Sequence, residues 1–143
     1  MKYIFLLMSL FLFCNVILAQ NGVYKCNTQK FSDANDPSKN AEHNNSMTIT
    51  IEINDFTGGS VIITHSDNFV IKYIILGKIQ VTVNENGVKF TNYDARFNYE
   101  NVQAQKQSIV SLVQDPRTNS FHLGVYNSGV ETVTWYNDLT KIN

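Results

Sequence analysis

The chain has 143 residues, a formal charge of −1, 16% charged residues and 43% apolar residues. So few cations exclude a surface that holds a phosphate backbone, and so much apolar content excludes a disordered acidic tail. The length is that of one domain.

The chain opens on Met1-Lys2-Tyr3, one basic side chain ahead of an apolar run from Ile4 to Leu18 broken by Ser9, Cys14 and Asn15. With Ala19 as a small residue at its end, this pattern predicts a signal peptide over residues 1–19 and Gln20 as the new terminus. Ile17 is larger than the residue preferred three places before the cut, so cleavage at a neighbouring bond is the alternative. A retained anchor is disfavoured, because positions 4–19 fall short of the roughly 20 residues that span a bilayer. Lipidation at Cys14 is disfavoured by the bulky Phe13 before it. The expected product is a secreted or periplasmic domain, residues 20–143, with no stable transmembrane span. It carries ten basic and twelve acidic residues, a charge of −2. Cys26 is its single cysteine, which excludes an intramolecular disulfide. Cys26 is read as a small buried hydrophobe, with an intermolecular disulfide or a nucleophile as alternatives.

Gly22 to Cys26 reads as an opening strand. Residues 32–46, mostly Asp, Asn, Ser and Lys around Pro37, read as a polar loop, mobile or facing a partner. Met47, Ile49, Ile51 and Ile53 alternate with Thr48, Thr50, Glu52 and Asn54, which is the period of a half-buried strand. Thr57-Gly58-Gly59-Ser60 turns the chain into a strand over 61–65, and Ser66-Asp67-Asn68 turns it again. Phe69, Ile71, Tyr73 and Ile75 then share one face, with Val70, Ile74 and Leu76 on the other, as in a more central strand. Gly77 marks a bend or bulge, after which Ile79, Val81 and Val83 alternate with polar residues. Asn86-Gly87 is a strong hairpin signal. In the strand that follows, Val88 and Phe90 face one way. Residues 94–107 read as strand and loop, with a short helix as the alternative. Strands continue over 108–114, around Phe121, Leu123 and Val125, and over 130–136, where Val133 and Trp135 are expected on the core side. A polar tail follows, tied down by Leu139 and Ile142.

Turn signals recur about every ten residues and no long helical period separates them, so a parallel α/β sheet is excluded. The expected fold is an all-β antiparallel meander of about eight to ten strands. It forms either a two-sheet sandwich or a small up-and-down, lipocalin-like barrel. The strands are mostly too short for an outer-membrane barrel. Gly22-Val23-Tyr24 resembles the opening glycine-x-aromatic of lipocalin-like barrels, a match of three residues.

Chemistry is sparse. His43, His65 and His122 lack the close spacing of metal ligands. Nothing couples any two of Glu52, Asp55, Asp94, Glu100 and Glu131 as an acid–base pair. Asp33-Ala34-Asn35-Asp36-Pro37 carries oxygen ligands at close spacing, but Ser38 and Asn44 stand where a calcium loop needs glycine and glutamate. Asn44-Asn45-Ser46 fits a glycosylation acceptor, a pattern short enough to arise by chance. Tyr93, Tyr126 and Tyr136, with Tyr99 as a further candidate, fall opposite their strands' expected core residues, as an exposed stacking platform would. No catalytic residue, metal ligand or cofactor is nominated. The expected function is a non-enzymatic binding module for a protein, a glycan or a small apolar ligand, with no nucleic-acid partner. A structural or inhibitor-like extracellular protein is the alternative, and a small hydrolase a weaker one.

Overall fold

The structure, a computed structural model, describes residues 20–99, 106–128 and 131–142, and the side chains of all these except 98, 99 and 106. The expected leader, Cys14 and Glu100 lie outside the described residues. Eleven strands occupy most of the rest: β1 (Gly22–Cys26), β2 (Thr28–Asp33), β3 (Ala41–His43), β4 (Met47–Asn54), β5 (Gly58–His65), β6 (Val70–Val83), β7 (Lys89–Tyr99), β8 (Lys106–Asp115), β9 (Ser120–Asn127), β10 (Thr132–Asn137) and β11 (Thr140–Lys141). The one helical element among the described residues is a 3-10 turn, Pro37–Lys39.

All eleven strands belong to one antiparallel sheet. From β4 to β10 each strand pairs with the next, as a meander requires. The ends of the sheet are set by the first strands. Tyr24 stands opposite Lys141, Lys25 opposite Thr140, Thr28 opposite Asn137, and Asp33 opposite Thr132. These pairs share one antiparallel register between residues 22–33 and 132–141, broken only around Asn27 and Asp138-Leu139. On its other edge β1 pairs with β4. The ladder therefore runs round to the strand where it began, and the curled sheet takes the barrel-like form of the two architectures that the sequence allows. Asn27 is the bend that lets one chain segment serve both ends. β3 adds a short pairing on the outer edge of β2.

The inner face follows the expected alternation in β4 and β9, and β5 and β8 alternate in the same way. Ile49, Ile51, Val61, Ile63, Val110, Leu112, Leu123 and Val125 have no exposed surface at all. With Tyr24, Tyr73, Tyr93, Phe97 and Tyr136 they pack into one hydrophobic core. Tyr73 stacks on Phe97 with ring centroids 5.2 Å apart, and Tyr24 tilts against Phe121 at 5.1 Å. Cys26 is fully buried in the bend, its thiol donating to the carbonyls of Thr28 and Asn137. Burial pushes the thiol pKa up, and the sulfur has no surface from which to form an intermolecular disulfide.

Several expectations are corrected. Tyr93 and Tyr136 lie inside the core and not on an outer platform. Cross-strand partners explain why: Tyr136 stands opposite Leu123, and Thr134 opposite Val125, both core residues. The inward face of β10 is thus Thr132, Thr134 and Tyr136, and Val133 and Trp135 face outward, half-buried. Trp135 lies over Gly124, directly opposite it, where a β-carbon would sit 2.6 Å from the indole ring. Val88 belongs to the turn before β7 and so gives no guide to that strand's faces. The supposed loop 32–46 contains the end of β2, the 3-10 turn and β3. The segment read as two strands around Gly77 is one 14-residue strand. Ile142 is about half exposed, whereas Leu139 is buried and donates its N–H to the Phe121 carbonyl.

Gly58 and Gly87 both have positive φ, at 80° and 77°. A β-carbon at Gly58 would lie 2.3 Å from the Ile75 carbonyl oxygen, whereas one at Gly87 would make ordinary contact with Pro116. Both alanine variants bear the left-handed conformational cost of about 1–3 kcal/mol. Gly58→Ala adds a backbone clash and is expected to lower the urea unfolding midpoint clearly more than Gly87→Ala. Equal losses would show that the β5–β6 approach does not depend on this glycine.

Candidate functional site

The chemistry of the molecule gathers at one mouth of the sheet, where β5 stops and β6 continues. Gly59 pairs with Ile75, and beyond that point β6 has no β5 partner. It runs on, paired only with β7, to a turn at residues 84–88. Two register shifts interrupt this extension, leaving Leu76 and Ile79 as extra residues. Each inserted residue exchanges the two faces of a strand. Tyr73 and Ile75 stand opposite Phe97 and Ala95, then Lys78 opposite Tyr93, then Val81 opposite Thr91. Phe97, Ala95, Tyr93 and Thr91 are all buried on the inner face of β7. The first bulge therefore turns Lys78, an even-numbered residue, inward, and the second restores Val81. Gly77 lies between them with open space around its α-carbon, so the bulges do not depend on its missing side chain.

Lys78 meets the turn between β4 and β5. Its ammonium lies 2.5 Å from Asp55 Oδ2, and the Tyr93 hydroxyl donates to Asp55 Oδ1 at 3.3 Å. Asn54 fixes that turn by accepting from the N–H groups of Phe56 and Thr57. On the far side, the Asn21 side chain continues the β1–β4 pairing, accepting from the Ile53 N–H at 2.9 Å and donating to the Ile53 carbonyl at 3.0 Å. Between these walls lies a cleft of about 60 Å³, lined by Gln20, Asn21, Ile53, Asp55, Lys78, Val81, Lys89, Thr91 and Tyr93. Thr91 is 4% exposed, and its hydroxyl oxygen has no hydrogen-bond partner. Two more open depressions lie nearby. One, of about 380 Å³, runs between the turns at Gly87 and Pro116, and the other, of about 480 Å³, lies by Leu76, Asp94, Arg96 and Gln107.

The sequence candidates are scattered. His43 is exposed on β3. His65 lies at the opposite end of β5, against Phe69, and Asp67 beside it is occupied in capping the turn at the Phe69 N–H. His122 is structural. Its Nδ1 accepts the Asp138 N–H, so the neutral ring carries its proton on Nε2, 2.8 Å from Ser120 Oγ. Asp33 and Asp36 accept backbone N–H groups of their own loop, and Asp36 also pairs with Lys39. Glu131 accepts from the half-buried Tyr126 hydroxyl, and Glu52 is exposed. Among the described residues no three His, Cys, Asp or Glu side chains converge on a possible metal position. Of the acids considered singly, Asp55 is the one placed in the cleft. Lys78, Lys89, Thr91 and Asn21 carry no sequence signal of their own, because the bulges and the long-range pairings that assemble them are tertiary.

Burial, followed by the charge of Asp55 and its hydrogen bond, pushes the Tyr93 phenol well above the usual tyrosine range. The folded chain thus holds this proton more tightly than the unfolded chain does. The resulting stability is complete below pH about 10 and is lost as pH rises past that value towards the folded-state pKa. Tyr93→Phe is expected to flatten the alkaline fall of stability in urea titrations and to remove one late-titrating phenol from the ultraviolet titration. An unchanged alkaline limb would show that Tyr93 does not bury its proton against Asp55. No protein-family model, curated protein or solved structure matches the chain, so the geometry of this mouth carries the functional reading.

Proposed function

We propose that this protein is a secreted, non-enzymatic binding module that recognises a protein partner at the mouth beside the β6 extension. The observation that carries this reading is the distribution of exposed apolar side chains. Phe56, at the tip of the β4–β5 turn, is 94% exposed. Leu76, Ile79, Val81 and Val83 are each about half exposed or more, all on the part of β6 that has left β5 and pairs with β7 alone. Among the described residues, the other large exposed apolar side chains are Phe69 and Ile142. The Asp55–Lys78 ion pair ties the Phe56 turn to the β6 extension, where Val81 and Val83 share a face beside the cleft and Leu76 lies by the depression at Asp94. Concentrated apolar exposure of this kind marks interaction sites, whereas single exposed residues carry no meaning. The packing of the inward side chains into one core cluster supports recognition at the surface over enclosure of an apolar ligand in a chamber. The leader-like pattern over residues 1–19 supports secretion.

The test is native mass spectrometry of the protein purified from its own medium or envelope, compared with Phe56→Ser and Val83→Ser. Both positions are exposed, so stability should change by no more than about 0.5 kcal/mol. A co-purified protein retained by the parent and lost from both variants is the expected result. A bare chain, or a partner indifferent to both changes, would remove the support for this reading.

A further inference from the structure

We infer that the cleft beneath the β6 extension holds a carboxylate of the partner polypeptide, between Lys89 and Thr91. This deepens the surface-recognition reading and rests on it. The inference starts from Thr91, a residue of the cleft wall whose hydroxyl is buried without a partner. A buried polar group without a hydrogen bond is destabilising and uncommon in native proteins. The cleft's other polar groups are largely engaged within the protein. Asn21 is bonded at both ends of its amide to Ile53. Asp55 holds Lys78 on one oxygen and the Tyr93 hydroxyl on the other, and that ion pair offsets its charge. Lys89 has no carboxylate within ion-pair distance among the described residues. Asp115, in the adjoining depression that Lys89 also lines, is held by Arg117 at 2.8 Å.

The groups left to meet a ligand, the Gln20 amide, the Lys89 ammonium and the Thr91 hydroxyl, can all donate, and the last two lie on one strand. Lys89 and Thr91 lie two residues apart on one face of β7, a separation of about 6.5–7 Å along the strand. Donor groups, with a lysine that has no carboxylate partner among the described residues, fit an anion. The cleft's 60 Å³ exceeds the roughly 10–15 Å³ that one water needs and falls far below the roughly 300 Å³ of a site for a whole small molecule. It therefore admits one small anionic group whose bearer stays outside, over Val81 and its exposed neighbours. An acidic residue flanked by apolar residues on a partner chain has that chemistry.

The test is an NMR titration of the folded chain with the peptide acetyl-Val-Ile-Asp-Val-Thr-amide and with its Asn counterpart. Saturable shifts at Val81, Lys89 and Thr91 are expected, with the Asp peptide favoured by about tenfold, as a charge-assisted hydrogen bond implies. Lys89→Met should abolish that preference, and Thr91→Val should weaken both peptides while leaving the preference in place. Thr91→Val should leave the free protein as stable as before or more stable, because it removes an unpartnered hydroxyl. Equal binding of the two peptides, no binding at millimolar peptide, tighter binding of octanoate than of the Asp peptide, or a free Thr91→Val protein that is destabilised would each overturn the inference. A partner retained through Phe56 and Val83 alongside any of these results would leave the surface-recognition reading standing and remove only the carboxylate.

Discussion

Residues 22–33 and 132–141 lie in a single antiparallel register, and the remaining strands are arranged by that long-range pairing. A meander from β4 to β10 on its own would end in two open edges, each presenting unpaired backbone groups to solvent or to other chains. The first strand answers both edges at once because it bends at Asn27, giving β1 to the β4 side and β2 to the β10 side. Joining segments more than a hundred residues apart carries a large loop-closure entropy, which many contacts must offset. They are concentrated at the bend. The buried Cys26 thiol bridges the carbonyls of Thr28 and Asn137, the Asp138 N–H is held by His122, and Leu139 is anchored to Phe121. A chain with no possible disulfide in its described part thus ties its two ends together by packing and hydrogen bonds.

The mouth is a consequence of unequal strand lengths on that curled frame. β5 has eight residues and β6 fourteen, so β6 leaves its neighbour and continues with β7 alone. The bulges at Leu76 and Ile79 act on this extension twice. They bend it, which blunts a free edge against casual pairing, and they alternate its faces so that a lysine enters an otherwise apolar row. Lys78 is tolerated there because Asp55 waits across the gap and Tyr93 supplies a further hydrogen bond. Thr91, one pair further on, has no such partner. The same geometry thus builds a satisfied polar wall and an unsatisfied one on opposite sides of a small cleft, with exposed Phe56, Val81 and Val83 around it.

Much of the fold was legible in the residues. The strict alternation from Met47 to Asn54 shows both the strand and its buried face, since only one side can enter a dry core. Asn86-Gly87 marks the β6–β7 turn, and Gly77 marks the bulged region. The misreadings share one cause. On β10 the apolar Val133 and Trp135 predict the inner face, yet threonines and Tyr136 occupy it. An indole needs the room that Gly124 leaves on the outside, whereas small Thr132 and Thr134 fit a packed interior. On β7 a turn residue, Val88, was counted as part of the strand, and this put Tyr93 on the wrong side. Local hydropathy ranks side chains by polarity, while the barrel sorts them by volume and by cross-strand partner.

The sequence by itself determined the all-β class, the antiparallel connections, most of the turns and the alternating core of β4 and β9, because these depend on period and on residues a few places apart. Only the tertiary structure decided that the sheet closes on its first strand, that Tyr93 and Tyr136 lie inside, and that Lys78, Asp55, Thr91 and Lys89 share one cleft. Each of those outcomes depends on a register between segments distant in the chain. A single inserted residue reverses such a register, and no local pattern records it.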